Sequence, residues 1–331
     1  MHPTIRDVAS RAGVSIATVS RVMRHHDHVR EATRDRVAAA ILELEFTPSS
    51  LGRSLAERRH AANGIVFPDL SGPYYAEVVL GYEAFAAERG RSVLILSTHG
   101  RAAASSMVEE MAGRCDGLVI MGRTVSDDVV TRIAARPLPV VLLARPSIEG
   151  VDSLEAENTT SAATLTRHLL DSGARQLLFV GDPESSPDVA ERFAGTQHEC
   201  TMTSGVNLRQ VKPEGFSEAA GHQVARQQVA RELPDAFVCA NDELALGVLA
   251  ELHEQGIDVP GRALVTGWDD VMAARYAGLT TVRQPMRSLG ATAAQMLDEL
   301  ITGSRTEPRH EVLPTELVIR TSSGRPGKDI E

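Results

Sequence analysis

The chain has 331 residues, of which 43% are hydrophobic, and it carries a formal charge of −10 at neutral pH. Its length exceeds what a single hydrophobic core usually supports, so we expect two or three domains. The longest apolar runs are far shorter than the ~20 residues of a membrane span, no signal peptide is recognisable, and the three cysteines have neither disulfide-framework nor metal-site spacing. These features exclude a membrane-spanning protein and a disulfide-stabilised secreted one, and they predict a soluble, cytoplasmic protein.

The charge is distributed unevenly along the chain. Residues 1–60 contain ten arginines and seven acidic residues, a balance of +3, whereas the remainder carries −13. A basic N-terminal segment can approach phosphate groups, while an acidic body is repelled by them. The overall charge therefore does not argue against a nucleic-acid partner for the N-terminal segment.

The first residues predict two short amphipathic helices separated by Gly13. Apolar residues recur at helical spacing on both sides of this glycine. Thr4 and Asp7 have the spacing of a capping box, and Ser15 can cap the second helix. Gly13 tolerates the positive φ that a tight interhelical turn requires. The pattern predicts a helix-turn-helix, and a surface helical hairpin without a nucleic-acid role is the alternative.

Two further elements follow in the N-terminal region. A third helix is expected from Glu31 to Glu45, which completes a small three-helix core. Residues 48–57 predict a short hinge helix. A helix of this length is marginal on its own in water, and Gly52 weakens it by roughly 1 kcal/mol relative to alanine.

The run from Thr4 to Leu55 resembles the lactose-repressor (LacI/GalR) family of bacterial transcription regulators. The motifs that carry the resemblance are Asp7-Val8-Ala9, Gly13-Val14-Ser15, Thr18-Val19-Ser20-Arg21-Val22, Thr33-Arg34, and Pro48 with Arg53-Ser54-Leu55. The resemblance implies that the second helix lies in the major groove of DNA, where Ile16, Ala17 and Arg21 read the bases. An arginine can bond bidentately to guanine, and apolar side chains can contact a thymine methyl group.

The resemblance also implies contacts that position the protein on DNA or bend the duplex. The residues expected in these roles are Thr4, Ser15, Thr18, Ser20, Arg24, His28, Val29, Thr33, Ser49, Arg53, Leu55 and Ala56. Leu55 would insert into the minor groove at the centre of the operator, and an ordinary core leucine is the alternative. The cluster His25-His26-Asp27-His28 suggests a metal site at first, but no second ligand group stands at a recognisable spacing. We interpret it as a loop and predict no metal.

From residue 62 onward, predicted strands and helices alternate. Such alternation implies parallel sheets with helices on both faces. Two αβ units in tandem indicate two Rossmann-like lobes that face each other across a cleft. Ligands in such folds bind at the carboxyl ends of the strands.

This second part resembles the periplasmic sugar-binding-like core of the same family. The resemblance is carried by the segments 68–75, 241–247, 267–270 and 279–285. The implied fold class is α/β: a three-helix helix-turn-helix headpiece with a hinge helix, then two Rossmann-like lobes of the periplasmic-binding-protein type. The implied domains are the headpiece (1–47), the hinge and linker (48–61), lobe one (62–159 plus 286–315) and lobe two (160–285 plus 316–331).

Sugar-like ligands are bound by carboxylates, amides and guanidinium groups for the hydroxyls, and by aromatic faces for the ring. The residues expected to bind the effector are Ser71, Tyr74, Tyr75 and Arg145 in lobe one, and Arg192, Phe216, Asn241, Trp268 and Asp269 in lobe two. Each has a structural alternative, since Asn241 could simply cap the helix that follows it. Ala144 replaces an acidic residue that is frequent in the family, which predicts that lobe one lacks a hydroxyl-binding carboxylate.

The sequence therefore predicts a homodimeric transcription repressor that binds a double-stranded DNA operator and a small sugar-like effector. We expect lobe one, including the helix with Tyr82 and Phe85, to supply much of the dimer surface. A transport receptor shares such a core, but it would carry an export signal and no headpiece. An enzyme acting on the bound ligand is disfavoured because nucleotide-binding, nucleophile-elbow and zinc motifs are absent from the sequence. No cofactor is predicted.

Overall fold

The computed structural model describes residues 3–23, 29–46 and 60–324. The chain forms two compact units, Met1–Ala61 and Ala62–Glu331, which we call the headpiece and the core. Among the described residues, no helix is long and apolar enough to cross a membrane.

The headpiece contains α1 (Ile5–Ala12), α2 (Ile16–Met23) and α3 (Glu31–Glu43). The backbone N–H and hydroxyl of Thr4 donate to the Asp7 carboxylate at 2.8 and 2.7 Å, and these bonds hold the pKa of Asp7 below its usual value. Gly13 ends α1 with φ 64°, in the left-handed region. The helix-turn-helix prediction is confirmed, although α3 ends two residues before the expected Glu45.

The headpiece core is small and entirely apolar. Val8, Val19 and Val37, one from each helix, are fully buried against each other and against neighbouring alanines. An ion pair between Arg11 and Glu43, at 2.7 Å, joins α1 to α3 at the surface. This packing fixes the orientation of α2, whose opposite side stays exposed.

The first sheet of the core has six parallel strands. They are β1 (Ala62–Phe67), β2 (Ser92–Ser97), β3 (Gly117–Met121), β4 (Val140–Leu143), β5 (Asp152–Ala156) and β11 (His310–Leu313), in the order β11-β5-β4-β3-β1-β2. Helices α4 (Pro73–Glu88) and α12 (Met286–Thr302) cover one face, and α5 (Ala104–Ala112) and α6 (Asp127–Ala134) cover the other. We call this sheet and its helices the first lobe.

The second sheet has four parallel strands. They are β6 (Gln176–Val180), β7 (Asn207–Val211), β8 (Ala236–Cys239) and β9 (Leu264–Thr266), in the order β7-β6-β8-β9. The helices of this part are α7 (Thr159–Asp171), α8 (Pro187–Met202), α9 (Glu218–Val229), α10 (Asp242–Glu254) and α11 (Met272–Tyr276). We call this sheet and its helices the second lobe.

An antiparallel pair of short strands, β10 (Thr281–Arg283) and β12 (Glu316–Val318), lies beside the second lobe. It is joined to α10 through Asp242, whose carboxylate accepts hydrogen bonds from the Thr281 hydroxyl at 2.6 Å and the Val271 N–H at 2.9 Å. The chain passes between the lobes three times, after β5, after β10 and after β11. The predicted lobe boundaries at 159/160, 285/286 and 315/316 stay a prediction.

The sequence analysis missed four elements of the core: β5, β10, β11 and α11. The segment of β5 reads Asp-Ser-Leu-Glu-Ala and lacks an apolar run. Its Asp152 is nevertheless buried, because Arg305 and the Arg309 N–H bind the carboxylate. Tyr82, on the helix α4 that we expect to contribute to a dimer surface, is itself fully buried, and the contribution of that helix stays a prediction.

Candidate nucleic-acid interface and ligand cleft

The exposed side of α2 carries the three residues expected to read DNA. Val19 and Val22 anchor the helix in the headpiece core, which leaves Ile16, Ala17 and Arg21 exposed. Ile16 has 44% of its surface exposed although it is a large apolar side chain. Within the described part of the headpiece, no carboxylate pairs with Arg21, so its guanidinium is free to bind an external acceptor.

Capping positions the start of this helix. The Ser15 hydroxyl accepts a hydrogen bond from the Thr18 N–H at 3.1 Å, and the two hydroxyls lie 2.9 Å apart. Thr4, Ser20, Val29 and Thr33 are half-buried or exposed. Six of the expected DNA-contacting residues fall outside the described ranges, namely Arg24, His28, Ser49, Arg53, Leu55 and Ala56. The histidine cluster weighed as a metal site also lies outside the described residues.

The core contains a cavity of about 620 Å³ between the two lobes. Loops after β1, β3 and β4 line it from the first lobe, and loops or helix starts after β6, β7 and β8 line it from the second. It brings together seven of the nine residues expected to bind the effector: Ser71, Tyr74, Tyr75, Arg192, Phe216, Asn241 and Asp269.

Arg192 is the best-anchored cation of this cavity. Its Nε donates to the Asn158 side-chain oxygen and its Nη1 to the Ala240 carbonyl, both at 2.8 Å. Its guanidinium carbon lies 4.6 Å from the centre of the Trp268 ring, a cation–π contact. Only 6% of the residue is exposed. These contacts fix the guanidinium, whose Nη2 lies 3.7 Å from an oxygen of Asp188.

Two expected effector residues do not line the cavity. Trp268 is 1% exposed and supports Arg192 from behind, because its large ring fills the second-lobe core. Arg145 is 2% exposed and forms an ion pair with Asp127 at the start of α6. The left-handed backbone at Ala144, φ 51°, immediately precedes it. Both residues therefore shape the cleft from outside it.

Asn241 lines the cavity but is fully occupied by the protein. Its oxygen accepts from the Leu244 N–H at 3.1 Å, which caps α10, and its amide donates to the Phe216 carbonyl and to Glu243 at 3.1 and 2.7 Å. The structure thus shows the capping role that the sequence also allowed, and effector binding by Asn241 stays a prediction. A ligand that bonded to Asn241 would displace one of these partners.

Other polar groups at the cavity have unfilled hydrogen-bonding capacity. The Tyr74 hydroxyl and the Gln284 side-chain oxygen are buried and have no partner among the described residues. Burial raises the pKa of Tyr74, and the nearby Asp188 and Asp269 add to this effect, so the hydroxyl stays protonated and can donate. Asp269 accepts from the Gln284 amide at 2.6 Å and has φ 115°, a strained conformation of the kind found at functional sites.

Comparisons with known proteins place these two units in one family. Residues 4–49 match the bacterial regulatory proteins of the lacI family, and residues 166–323 match the periplasmic binding protein-like domain. The chain is 30% identical over 329 residues to the HTH-type transcriptional repressor PurR of Photobacterium profundum, covering 96% of this chain and 98% of the relative.

Solved structures give the same result. The lac repressor dimer bound to operator and the anti-inducer ONPF matches with a TM-score of 0.86 at 28% identity, covering 98% of this chain and 99% of the other. The complex of the transcriptional regulator CelR with cellobiose matches with a TM-score of 0.71 at 28% identity, covering 97% and 99%. The chain belongs to the LacI family. It is a DNA-binding regulator of transcription with a helix-turn-helix headpiece and a periplasmic-binding-like core.

For this LacI-family protein, sequence reasoning missed several residues of the cleft. Among the missed polar residues Gln284 is buried, Asp188, Asp69 and Glu243 are half-buried, and His99 and Arg123 are exposed. One signal was available for Asp188, since it precedes Arg192 by one helical turn and therefore shares its helix face. Asp69, Glu243 and Gln284 lie in the segments 68–75, 241–247 and 279–285 that carry the family resemblance, so that resemblance could have marked them, whereas no such signal marks His99 and Arg123.

Proposed function

We propose that this protein is a repressor that binds a palindromic operator as a homodimer and changes its operator affinity when a small sugar-like effector occupies the cleft. The observation that supports it most is the cavity between the lobes, where a fixed guanidinium and unpartnered buried polar groups face one another. The DNA-reading role is proposed for Ile16, Ala17 and Arg21. The effector-binding role is proposed for the seven cleft residues, with Arg145 and Trp268 in supporting positions.

Symmetry supports the dimer. One headpiece can read only a few base pairs, so useful specificity needs two headpieces, and a two-fold dimer matches a palindrome. The lac repressor described above binds its operator as a dimer. Leu80, Leu94 and Ile95 are large apolar residues of the first lobe that remain 36–50% exposed, which suits a surface covered by a second copy.

The cleft chemistry supports a hydroxylated effector. Tyr74 and Arg192 offer hydrogen-bond donors, Gln284 and Asp269 offer acceptors, and aromatic rings at Tyr75 and Phe216 offer apolar faces. The related CelR structure holds cellobiose. We infer that the cleft binds its ligand without transforming it, as the relatives are regulators of transcription, and that the protein acts in the cytoplasm, where bacterial DNA is found.

The test begins with the purified full-length chain and a library of randomised double-stranded DNA. We expect selection to enrich a palindrome, and sedimentation on that operator to show two chains per duplex. Thermal shift with uncharged sugars and nucleosides should then identify ligands that also change operator affinity. Enrichment of an asymmetric site, or a ligand that binds without any effect on the operator, would contradict the proposal.

A further inference from the structure

One histidine and two glutamates come together in the second lobe, where α9 packs against α10. The Nε2 of His222, on α9, lies 3.0 Å from Glu251 Oε2 and 3.3 Å from Glu254 Oε2, both on α10. Glu251 and Glu254 stand three residues apart and therefore share one face of their helix. The three donor atoms all lie within 4.8 Å of one another. None of these three residues lines the cavity between the lobes, so the cluster is separate from the proposed effector site.

The two helices hold these side chains on a rigid base. A Cβ on Gly221, the residue before His222, would lie 2.0 Å from a carbonyl oxygen of α10. A Cβ on Gly247, one helical turn before Glu251, would lie 1.9 Å from a carbonyl oxygen of α9. Because the two backbones are in direct contact, the helix packing fixes the spacing between the donor on α9 and the donors on α10.

The carboxylate of Glu251 is fully buried, and one of its oxygens lacks a hydrogen bond. Its Oε1 accepts from the Gln255 side-chain amide at 2.9 Å, which orients the carboxylate. Its Oε2 faces His222 but accepts no hydrogen bond from any described residue, and the hydrogen-bonding geometry of His222 Nε2 favours Glu254 instead. A single imidazole N–H cannot satisfy two carboxylate oxygens, whereas one cation can contact both. Since a buried charged acceptor is costly unless it is paired, this oxygen points to a cation held between the three side chains.

Arg226 is a cation near this carboxylate, but it fills the space poorly. Its Nε lies 3.3 Å from Glu251 Oε2 and donates to Oε1 at 3.5 Å, the outer limit of a hydrogen bond. The Arg226 side chain is 64% exposed, so it can turn into solvent when a smaller ion binds. Two ionised glutamates and a neutral imidazole carry two negative charges, which one divalent cation balances.

The donor set favours a transition metal over Ca²⁺ or Mg²⁺. An imidazole nitrogen with carboxylate oxygens suits Zn²⁺, whereas Ca²⁺ and Mg²⁺ prefer oxygen ligands alone. Zinc bonds of about 2.0–2.1 Å at tetrahedral angles place neighbouring donor atoms about 3.3–3.4 Å apart. The two distances from His222 Nε2, 3.0 and 3.3 Å, are close to this spacing. Small side-chain rotations therefore suffice to complete the coordination.

We propose that His222, Glu251 and Glu254 form a binding site for a divalent transition-metal ion, with Zn²⁺ as the best match and a coordination position left to water. The ion bridges α9 and α10, so its binding stabilises the second lobe without contact with a ligand in the cleft. The sequence analysis predicted no metal, because His222 and Glu254 stand 32 residues apart and no ligand spacing marks them.

The experiment uses the full-length protein, freed of metal with a chelator, and ZnCl₂, CaCl₂ and MgCl₂ as probes. His222→Ala removes the nitrogen donor, and Glu254→Gln removes a carboxylate while keeping its size. His253→Gln is the matched control, because it removes an exposed histidine of the same helix outside the cluster. The histidines of residues 25–28 are present in all four proteins, so zinc bound there does not enter the comparison. Calorimetry at pH 7.5 gives the number of bound ions and their Kd, and thermal unfolding gives the Tm.

We expect wild type to bind one equivalent of Zn²⁺ that both ligand variants bind at least about tenfold more weakly, and that His253→Gln binds within about threefold of wild type. Saturating Zn²⁺ should raise the Tm of wild type by about 3 °C or more, and that of the ligand variants by much less. Ca²⁺ and Mg²⁺ at the same concentration should leave the Tm unchanged.

Three results would overturn the site: equal zinc affinity in wild type and the ligand variants, an equal loss in His253→Gln, or tighter binding of Ca²⁺ than of Zn²⁺. Glu254 has 58% of its side chain exposed, so Glu254→Gln tests the site even if His222→Ala does not fold.

Discussion

Arg192 shows how a single residue is prepared for binding in this cleft. Asn158 and the Ala240 carbonyl hold its guanidinium at 2.8 Å, and Trp268 lies against its face. A side chain fixed in this way loses little further conformational freedom when a ligand binds. Arg21 in the headpiece is the opposite case, because it is exposed and must be ordered by its target.

At the headpiece, we predict that Arg21→Ala removes about 1–3 kcal/mol of discrimination at one operator position. Nonspecific binding and its salt dependence should change little. Arg11→Ala is the matched control, because it removes the same charge from a residue already paired with Glu43. Binding titrations on the operator and its single-base variants measure both effects. If both substitutions weaken binding to every operator variant by the same factor, Arg21 contributes only its positive charge.

Ionisation of the Asp188 carboxyl is predicted to lower the stability of the folded protein. Burial raises its pKa to about 6, Arg192 opposes this rise and Glu191 reinforces it. Because the folded pKa lies above the ordinary value near 4, the folded state binds the proton more tightly than the unfolded state does. The destabilising effect of ionisation is therefore absent below about pH 4, develops between pH 4 and 6, and is complete above pH 7.

We accordingly expect the substitution Asp188→Asn to raise the free energy of unfolding more at pH 8 than at pH 4.5. The two changes should differ by about 1–3 kcal/mol. Urea unfolding of both proteins at the two pH values measures the difference. Glu155, Glu191, Asp269, Tyr74 and Arg192 surround this carboxyl. Burial and then the charges of Glu191 and Asp188 raise the pKa of Glu155 to about 7, so loss of the Asp188 charge also relieves Glu155 and adds to the difference in the same direction. A stability difference that does not vary with pH would show that Asp188 is not penalised by burial.

At the scale of elements, three helix pairs make unusually close contact through glycines, one of them α7–α8, where a Cβ on Gly195 would lie 2.2 Å from the Thr159 carbonyl oxygen. A Cβ on Gly81 or Gly290 would lie 1.9 Å from a carbonyl oxygen of the partner helix in the α4–α12 pair. A Cβ on Gly221 or Gly247 would meet the opposite helix of the α9–α10 pair at 2.0 or 1.9 Å. Each lobe therefore has helices packed backbone to backbone, which side chains larger than hydrogen would separate.

We predict that Gly290→Ala destabilises the core by about 2–3 kcal/mol or more, because α4 must move away from α12. Gly113→Ala is the control, since its φ of −76° suits alanine and its nearest neighbour would stand 3.4 Å away. Chemical denaturation of the three proteins provides the comparison. A loss below about 0.5 kcal/mol for Gly290→Ala would mean that the helices adjust without cost.

At the scale of the molecule, the lobes are connected by three chain crossings and by contacts across the cleft. Arg123, after β3, donates to the Glu184 carbonyl, after β6, at 3.2 Å. Lys212 holds the Glu184 and Asp182 carboxylates on the second-lobe side. Coupling between effector and operator requires a two-state element that both ligands bias, and relative rotation of the lobes is the natural candidate.

We expect Arg123→Ala to shift the ligand-free core toward a more open arrangement, because one cross-cleft hydrogen bond is lost. A bond of this kind contributes about 0.5–1.5 kcal/mol, which corresponds to a roughly two- to tenfold change in the open-to-closed ratio. Small-angle scattering should show a larger radius of gyration for the ligand-free Arg123→Ala protein than for ligand-free wild type. Arg132→Ala, which removes an ion pair with Glu109 inside the first lobe, should leave it unchanged. Identical scattering for Arg123→Ala and wild type would exclude this contact as a determinant of closure.

The sequence alone was sufficient for features that depend on local chemistry. Thr4, Asp7, Gly13 and Ser15 act within four residues of themselves, so the helix starts and the turn could be predicted from spacing. The alternation of apolar strands with amphipathic helices likewise indicated parallel sheets. Tyr74 and Asp269 were predicted for the cleft because they lie in the family segments 68–75 and 267–270, which follow predicted strands, and Arg192 was predicted from the resemblance of the core as a whole.

Only the tertiary structure decided features that depend on distant partners. The strand β5 forms despite its polar sequence because Arg305, 153 residues further on, binds Asp152. Trp268 became a support for Arg192 and not a cleft surface, and Arg145 turned toward Asp127, because packing and pairing decide which way a side chain faces. Asp188 entered the cavity for the same reason. Burial and unfilled hydrogen-bonding capacity arise when the lobes surround a group, and neither property can be read from the residue and its neighbours in sequence.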